Sequence, residues 1–244
     1  MPTKLLFLDD AYAATAETTV VALHDGHSVE LDQTVFYANS GGQPGDTGSF
    51  ERADGTMLTV TNTHYLNNDK ATVLHVLAED SALPAVGETL VAHVDWQRRY
   101  KLMRMHSACH LLSVACPLPI TGAAVGENES RIDFDMTETA DKADLTAKIM
   151  ELVQANHPIF TSTITPEELA ANPGLVKSKN VKPPQTADSI RLVCIGDDAA
   201  VDSQPCGGTH VSETQEVGEV HIGKIEKKGR ENRRMRIRFG PLPG

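Results

Sequence analysis

The chain has 244 residues, of which 40% are hydrophobic and 23% are charged, and its formal net charge is −11 at pH 7. This composition excludes a disordered or fibrous protein, and the length leads us to expect two domains. No apolar run is long enough for a signal peptide or a membrane-spanning helix, so we expect a cytoplasmic protein with no membrane partner. The four cysteines show no disulfide-framework spacing, which fits a reducing compartment.

Short β-prone runs separated by turn sequences fill the first part of the chain. The runs are TTVVAL, HSVEL, TMLTVTNTH, ATVLHVL and ETLVAHV. Strands this short and this regularly spaced predict a small barrel or sandwich. We assign residues 1–93 to an N-terminal β-barrel domain.

A glycine-rich loop, FYANSGGQPGDTGSF, occupies residues 36–50 of this domain. Glycines such as Gly41 and Gly42 let main-chain amides approach a ligand, and the Gln43 amide can both donate and accept hydrogen bonds. On the loop alone, a turn in a β domain is the better explanation.

The sequence changes to helical periodicity after Asp95, a candidate N-cap. About twenty residues without Gly or Pro, WQRRYKLMRMHSACHLLSVAC, predict a long and mostly buried helix. A second helix is predicted over Asp141 to Asn156, and a third from Thr165, where Pro166 and Glu168 form a capping-box pattern. Four β-prone runs, IFTSTIT, SIRLVCI, VGEVHIGKIEKK and RRMRIRF, complete a predicted α+β domain over residues 94–244.

Two pairs of metal-binding residue types lie in this second domain. His106 and His110 are four residues apart on the long helix, so both imidazoles project from one face; such a pair alone is as often structural as metal-binding. Cys206 and His210 are separated by two glycines and a threonine, a spacer that lets both side chains turn toward one point. Together the four nitrogen and sulfur donors predict a zinc site.

The number of ligands leaves the role of this zinc open. Closed four-ligand sites are usually structural, whereas catalytic zinc keeps a position for water or substrate. Cys109 lies three residues from His106, and we assign it to core packing rather than to the ligand set.

Taken in order, the segments SGGQPGDTG, HSACH, RIDFD and CGGTH resemble the alanyl-tRNA editing family, free-standing relatives of the editing domain of alanyl-tRNA synthetase. The resemblance covers nearly the whole chain and is to the longer, two-domain form. It implies a second domain of the threonyl/alanyl-tRNA synthetase second-additional-domain type. The loop departs from the family pattern at Ala38 and Asn39, where a proline and an acidic residue are common.

The resemblance implies hydrolysis in trans of the ester joining serine, and secondarily glycine, to tRNA for alanine, for which the predicted zinc would serve. The sequence has no phosphate-binding glycine motif of the P-loop type and no room for an aminoacylation domain, so we expect no ATP requirement. The substrate pocket would then draw on the glycine loop and the zinc domain: Gly41, Gly42, Gln43, Thr121 and Thr209. A site that hydrogen-bonds the serine hydroxyl can reject alanine. The alternatives are a non-catalytic, zinc-stabilised tRNA-binding module and a hydrolase of another aminoacyl-tRNA.

The distribution of charge bears on the RNA partner. Residues 221–240 contain eight basic residues against Glu226 and Glu231, so this segment carries +6 and the rest of the chain −17. We predict that the acceptor end of the tRNA contacts this segment and the start of the long helix, through Arg98, Arg99, Lys101, Arg104, Lys227, Lys228, Arg230, Arg233 and Arg234. A solvated hairpin of alternating charges is the alternative. We expect a monomer.

Overall fold

The computed structural model describes residues 2–25, 27–67, 69–180 and 189–243. The chain divides into two compact units, Met1–Tyr100 and Lys101–Gly244, whereas the sequence placed the boundary after residue 93. None of the helices in the described ranges is long and apolar enough to cross a membrane.

The first unit contains a closed β-barrel, which confirms the predicted barrel. Its secondary-structure elements are β1 (Lys4–Leu5), α1 (Leu6–Asp9), β2 (Thr15–His24), β3 (Ser28–Leu31), β4 (Gln33–Thr34), β5 (Gly48–Glu51), β6 (Met57–Leu66), β7 (Asp69–Leu77) and β8 (Thr89–Val94). Six of them close the barrel in the order β2-β3-β7-β6-β5-β8, and β1 pairs with β4 in parallel outside it.

The barrel core is a cluster of buried aliphatic and aromatic side chains, among them Phe36, Phe50, Leu58, Leu77 and Leu90. Alternation of buried and exposed positions along β8 places every second residue inside, as a half-buried strand requires. The sequence did not predict β1, β4 or β5, because these segments are two to four residues long and contain little alternation.

The glycine-rich loop packs against the barrel. Ser40 and Gln43 form a mutual backbone pair, and Gly41 and Gly42 between them have φ values of 58° and 85°, as in a two-residue type I′ turn. Gly45 lies so close to a neighbouring strand that a Cβ atom would be 1.9 Å from the Thr63 carbonyl oxygen. Glycine is therefore required here both for conformation and for close approach.

The second unit combines helices with two antiparallel sheets, as the α+β prediction required. The helices are α2 (Trp96–Ala115), whose first five residues belong to the first unit, α3 (Lys142–Gln154) and α4 (Pro166–Ala171). The strands are β9 (Ile120–Ala124), β10 (Glu129–Asp135), β11 (Ile159–Ile164), β12 (Ile190–Ile195), β13 (Asp202–Pro205), β14 (Val220–Gly229) and β15 (Asn232–Phe239). One sheet has the order β14-β15-β10-β9 and the other β11-β12-β13.

The helix starts follow the predicted capping chemistry. Asp95 accepts a hydrogen bond from the Arg98 amide at 3.1 Å, as an N-cap does at the third helical residue. Thr165 and Glu168 form the predicted reciprocal capping box of α4.

The hairpin β14–β15 alternates charged and buried residues. Met235 and Ile237 are fully buried, whereas Arg234 and Arg236 point to the opposite face and pair with carboxylates. The carboxylate partners are Asp133 for Arg234, and Glu226 and Glu129 for Arg236. Part of the basic charge seen in the sequence is thus neutralised within the sheet.

Candidate metal centre

Four side chains converge in the second unit: His106, His110, Cys206 and His210. Their potential ligand atoms all lie within 4.8 Å of one another, and the group can hold a metal ion. The Cys206 Sγ atom is 3.5 Å from His106 Nε2 and 3.4 Å from His210 Nε2. All four predicted ligands are thus brought together.

Two elements bring these ligands together. The helix α2 supplies His106 and His110 from adjacent turns, and both are at most 7% exposed. The loop after β13 supplies Cys206 and His210. Arg191 on β12 holds this loop, because its guanidinium donates to the carbonyl oxygens of Cys206 at 2.7 Å and Gly208 at 3.1 Å.

The electrostatics of the cluster favour a thiolate and a neutral imidazole, which are the metal-binding forms. Burial by itself raises the pKa of Cys206, but the charges of His106 and His210 outweigh it and hold this pKa well below its usual value. Burial, together with His106 and His110, lowers the pKa of His210 well below its usual value. The Gly208 amide also donates toward the Cys206 sulfur at 3.4 Å.

Outer contacts orient two of the imidazoles. His210 Nδ1 lies 3.1 Å from the buried Ser107 hydroxyl, which leaves Nε2 directed at Cys206. His110 Nδ1 lies 3.3 Å from an Asp202 carboxylate oxygen, close enough for ion pairing although not aligned as a hydrogen bond. Burial lowers the pKa of His110, but Asp202 and Cys206 outweigh that effect and raise it to about 9.

The sequence analysis did not identify Ser107, Asp202 or Arg191. Asp202 stands four residues before Cys206 in VDSQPCGGTH, so a carboxylate next to a predicted ligand loop was the available signal. A metal-ligating histidine usually donates a hydrogen bond from its second ring nitrogen to a carboxylate or a carbonyl oxygen.

Cys109 packs in the core, as predicted. Its side chain is buried, and burial raises the pKa of its thiol to about 12, so it is a poor source of thiolate. It is not a member of the converging group.

The predicted substrate-pocket residues occupy different environments. Thr209 is fully buried in the loop between Cys206 and His210. Thr121 lies on β9, where its hydroxyl donates to the Asp133 carbonyl oxygen at 3.1 Å and accepts from Asn232 at 2.9 Å, so it is committed to the sheet. Gly41 and Gly42 are exposed in their turn, and the Gln43 side chain is buried. Their roles toward substrate remain predictions.

The predicted RNA contacts separate into exposed and internal side chains. Arg99 is completely buried and bonded to Asp46, and Arg233 is buried and donates to the Gly229 carbonyl oxygen at 3.1 Å. Their burial argues against the predicted RNA contact, because both guanidiniums are committed to partners within the chain. Arg104 donates to the Val217 carbonyl oxygen at 2.9 Å, and Arg234 pairs with Asp133.

The remaining predicted contacts are more accessible. Arg98 is half-buried and donates to the Gly45 carbonyl oxygen at 2.8 Å. The exposed set is Lys101, Lys227, Lys228 and Arg230.

Known protein families match both units. The family described as "Threonyl and Alanyl tRNA synthetase second additional domain" matches residues 190–236, and "tRNA synthetases class II (A)" matches residues 9–98. The first match contains Cys206 and His210, and it supports the predicted domain type.

Curated relatives are of two lengths. The alanine–tRNA ligase of Pyrobaculum calidifontis is 34% identical over 235 residues, which are 92% of this chain and 25% of that protein. The chain thus spans about a quarter of the length of the ligases it matches.

Relatives of similar length to this chain are named alanyl-tRNA editing protein AlaX-M. The Methanosarcina barkeri protein is 34% identical over 96% of this chain and 97% of its own length. The Saccharolobus solfataricus protein is 30% identical with the same coverage of both chains. The chain therefore belongs to the family of alanyl-tRNA editing proteins of the AlaX-M type.

Proposed function

We propose that this chain is a zinc-dependent aminoacyl-tRNA deacylase that removes serine, and secondarily glycine, from mischarged tRNA for alanine. The observation that carries the proposal is the convergence of His106, His110, Cys206 and His210 in a member of the AlaX-M family. The AlaX-M relatives support alanyl-tRNA editing, and the choice of amino acids is our inference.

The donor set and its spacing fit zinc. Zinc prefers imidazole nitrogen and thiolate sulfur, and tetrahedral bonds of about 2.3 Å to sulfur and about 2.0 Å to nitrogen separate those two atoms by about 3.5 Å. The observed separations from Cys206 Sγ are 3.5 Å to His106 and 3.4 Å to His210. These two pairs of ligand atoms are therefore already spaced as such an ion requires.

Zinc bound here would supply a Lewis acid for the ester carbonyl or lower the pKa of a water molecule. The protein supplies the surroundings. Three of the four ligand side chains and Thr209 are buried, which limits the access of bulk water. The Thr209 hydroxyl lies between two ligands in sequence, and we assign it to recognition of the serine side chain. Alanine would leave this hydroxyl without a partner, and a site of this kind can favour serine over alanine by up to about four orders of magnitude.

The RNA partner is the acceptor end of tRNA for alanine. Lys227, Lys228 and Arg230 lie at the exposed end of the β14–β15 hairpin, and Lys101 is exposed on α2. Such side chains bind phosphates in a salt-dependent manner without reading sequence.

A non-catalytic, zinc-stabilised RNA-binding module is the second candidate. It is favoured by the four-residue ligand set, because closed sites of this kind are usually structural. The two functions differ in what happens to the ester bond.

The test is deacylation of seryl-, glycyl- and alanyl-tRNA for alanine by the full chain, without ATP. His106→Ala and Cys206→Ala are expected to lose both bound zinc and deacylation, and a chelator is expected to inactivate the wild-type protein. Cys109→Ser is the matched control, and it should retain zinc and activity.

Hydrolysis of seryl-tRNA well above that of alanyl-tRNA supports the proposal. Indifference to all three substrates by a zinc-loaded protein would refute the deacylase and favour the binding module. Full activity without zinc would refute the catalytic metal.

A further inference from the structure

A buried ionic network stands behind the metal cluster. Asp202 on β13 has a side chain that is only 1% exposed, and its carboxylate faces His110 through one oxygen and Lys177 through the other. Gln204 donates to the same carboxylate at 2.7 Å. None of these three residues is among the four converging ligands.

Ser113 ties this network to the helix that carries the ligands. Its hydroxyl donates to the His110 carbonyl oxygen at 2.7 Å and accepts from Lys177 Nζ and Gln204 Nε2, each at 3.2 Å. Lys177 thus contacts both Asp202 and the turn of α2 that contains His110.

Lys177 belongs to a short peripheral segment, residues 177–180, which we call the edge segment. Its backbone pairs with Ile120 of β9, through Ile120 N to Lys177 O and Lys179 N to Ile120 O, both at 2.8 Å. β9 is an outer strand of its four-stranded sheet. Lys179 pairs with Asp135 at 2.7 Å, and Asn180 donates to the Thr121 carbonyl oxygen at 3.1 Å.

A buried carboxylate needs a fixed cationic partner, because an uncompensated charge away from water is costly. With Lys177 in place, one Asp202 oxygen is engaged by Lys177, and the other faces His110 while it accepts from Gln204. Without Lys177, the carboxylate is held by Gln204 without its cation, and it can rotate or draw the imidazole into a closer ion pair. Either change moves His110 away from the geometry that the metal requires.

We propose that Lys177 is a positioning residue that holds Asp202 against His110, so that the metal affinity of the cluster depends on this lysine. The inference rests on the zinc binding proposed above. It makes no claim about the catalytic step.

The experiment measures zinc dissociation constants of the full chain by competition with a chromophoric chelator. Lys177→Met is expected to weaken zinc binding about tenfold, and Asp202→Asn about 10- to 100-fold, as loss of outer contacts to a ligating histidine usually does. Lys179→Met is the matched control. It removes an ion pair of the same segment whose lysine is 58% exposed, and it should leave zinc affinity unchanged.

Two further measurements separate positioning from general destabilisation. In the Asp202→Asn background, Lys177→Met should cause no further loss of zinc affinity, because the residues act in series. The absorption spectrum of the Co²⁺-substituted protein should change in Lys177→Met and not in Lys179→Met. If Lys177→Met fails to fold, Lys177→Gln replaces it, with a smaller loss expected and rescue by Lys177→Arg.

Wild-type zinc affinity in Lys177→Met, equal losses in both lysine variants, or an additive loss in the double variant would overturn this inference alone. A wild-type protein that binds no zinc would instead overturn the metal-dependent function on which it rests.

Discussion

The position of Arg99 in the structure differs from the one that its sequence context suggests. In the sequence it is one of several cations at the start of a helix, next to Arg98. In the structure it is fully buried, and its guanidinium donates to Asp46 at 2.8 Å and to the carbonyl oxygens of Val35 at 2.6 Å and Ala11 at 3.0 Å. It therefore joins separate loops of the first unit.

Replacement of Arg99 by Met is expected to destabilise the first unit by about 3–5 kcal/mol, because it leaves the Asp46 carboxylate buried without its cation. The measurement is urea unfolding followed by the fluorescence of Trp96, the only tryptophan in the chain and a residue of this unit. Arg52→Met is the control, since the Arg52–Glu88 pair is near the surface and should matter much less. A free energy of unfolding equal to that of Arg52→Met would contradict the structural role of Arg99.

At the scale of elements, one histidine links two strands of the barrel to the short strand β4 outside it. His75 on β7 is fully buried; its Nδ1 lies 3.1 Å from the Val29 carbonyl oxygen on β3, and its Nε2 lies 2.8 Å from the Thr34 hydroxyl of β4. Nδ1 is thus the donor, and the neutral ring satisfies both partners. Burial lowers the pKa of His75 to about 4, with a smaller contribution from the charge of His64.

A lowered histidine pKa makes the barrel sensitive to acid. The stabilisation is complete above the unfolded pKa of about 6.5 and is lost as the pH falls toward 4, where the folded ring must take up a proton. The full shift corresponds to about 3 kcal/mol. Trp96 fluorescence should therefore show that His75→Gln, although less stable at pH 7, loses less stability between pH 7 and pH 4 than the wild type.

His157→Gln, a change in the second unit, is the control for this titration and should leave the acid sensitivity of the barrel unchanged. Equal acid sensitivity in His75→Gln and the wild type would contradict the assignment to His75.

At the scale of the whole molecule, the distribution of charge determines where an acidic protein could bind the RNA partner proposed above. The net charge is −11, but the basic residues are concentrated in the last strands, where Arg234, Arg236 and Arg238 are paired with carboxylates. Charge available to phosphates is therefore concentrated at the exposed end of the hairpin.

Replacing Lys227, Lys228 and Arg230 together by Gln is expected to weaken binding of tRNA and to reduce the slope of log affinity against log salt by about 2, because each lost phosphate contact contributes about 0.7–0.9. Filter binding at several salt concentrations measures this slope. A variant with Gln at three other exposed lysines, Lys4, Lys142 and Lys148, changes the net charge equally and should keep the wild-type slope. An equal effect of both variants would show that net charge alone, and no hairpin contact, governs binding.

The sequence was sufficient to predict those features that depend on the spacing of residues close together in the chain. His106 and His110 are brought together by one helical turn, and Cys206 and His210 by one short loop. The capping box of α4 depends on Thr165 and the three residues that follow it. The barrel also followed, because its longer strands alternate. In each case the information lies within a few consecutive residues.

The sequence was insufficient where partners are distant. The pairing of Asp202 with Lys177 spans 25 residues and that of Arg99 with Asp46 spans 53, and no local pattern encodes either. β9 and β10 were not predicted as strands, because ITGAA contains small residues and the pairing comes from elsewhere in the chain: β9 pairs with β10, and β10 pairs with β15. Burial of individual arginines depends on these tertiary contacts.

The boundary between the two units falls inside α2, so the two units cannot be expressed separately by cutting the chain where the sequence changes character. A cut after residue 93, where the sequence changes character, would remove Asp95 and Arg99 from the barrel and leave Asp46 enclosed without its cation. A self-sufficient barrel fragment must extend to Tyr100, and so must carry the opening turn of the helix that bears His106 and His110. The barrel and two of the metal ligands therefore depend on the same helix, α2. A fragment that ends before α2 lacks the Arg99 cation of the barrel, and a fragment that ends after α2 separates His106 and His110 from Cys206 and His210.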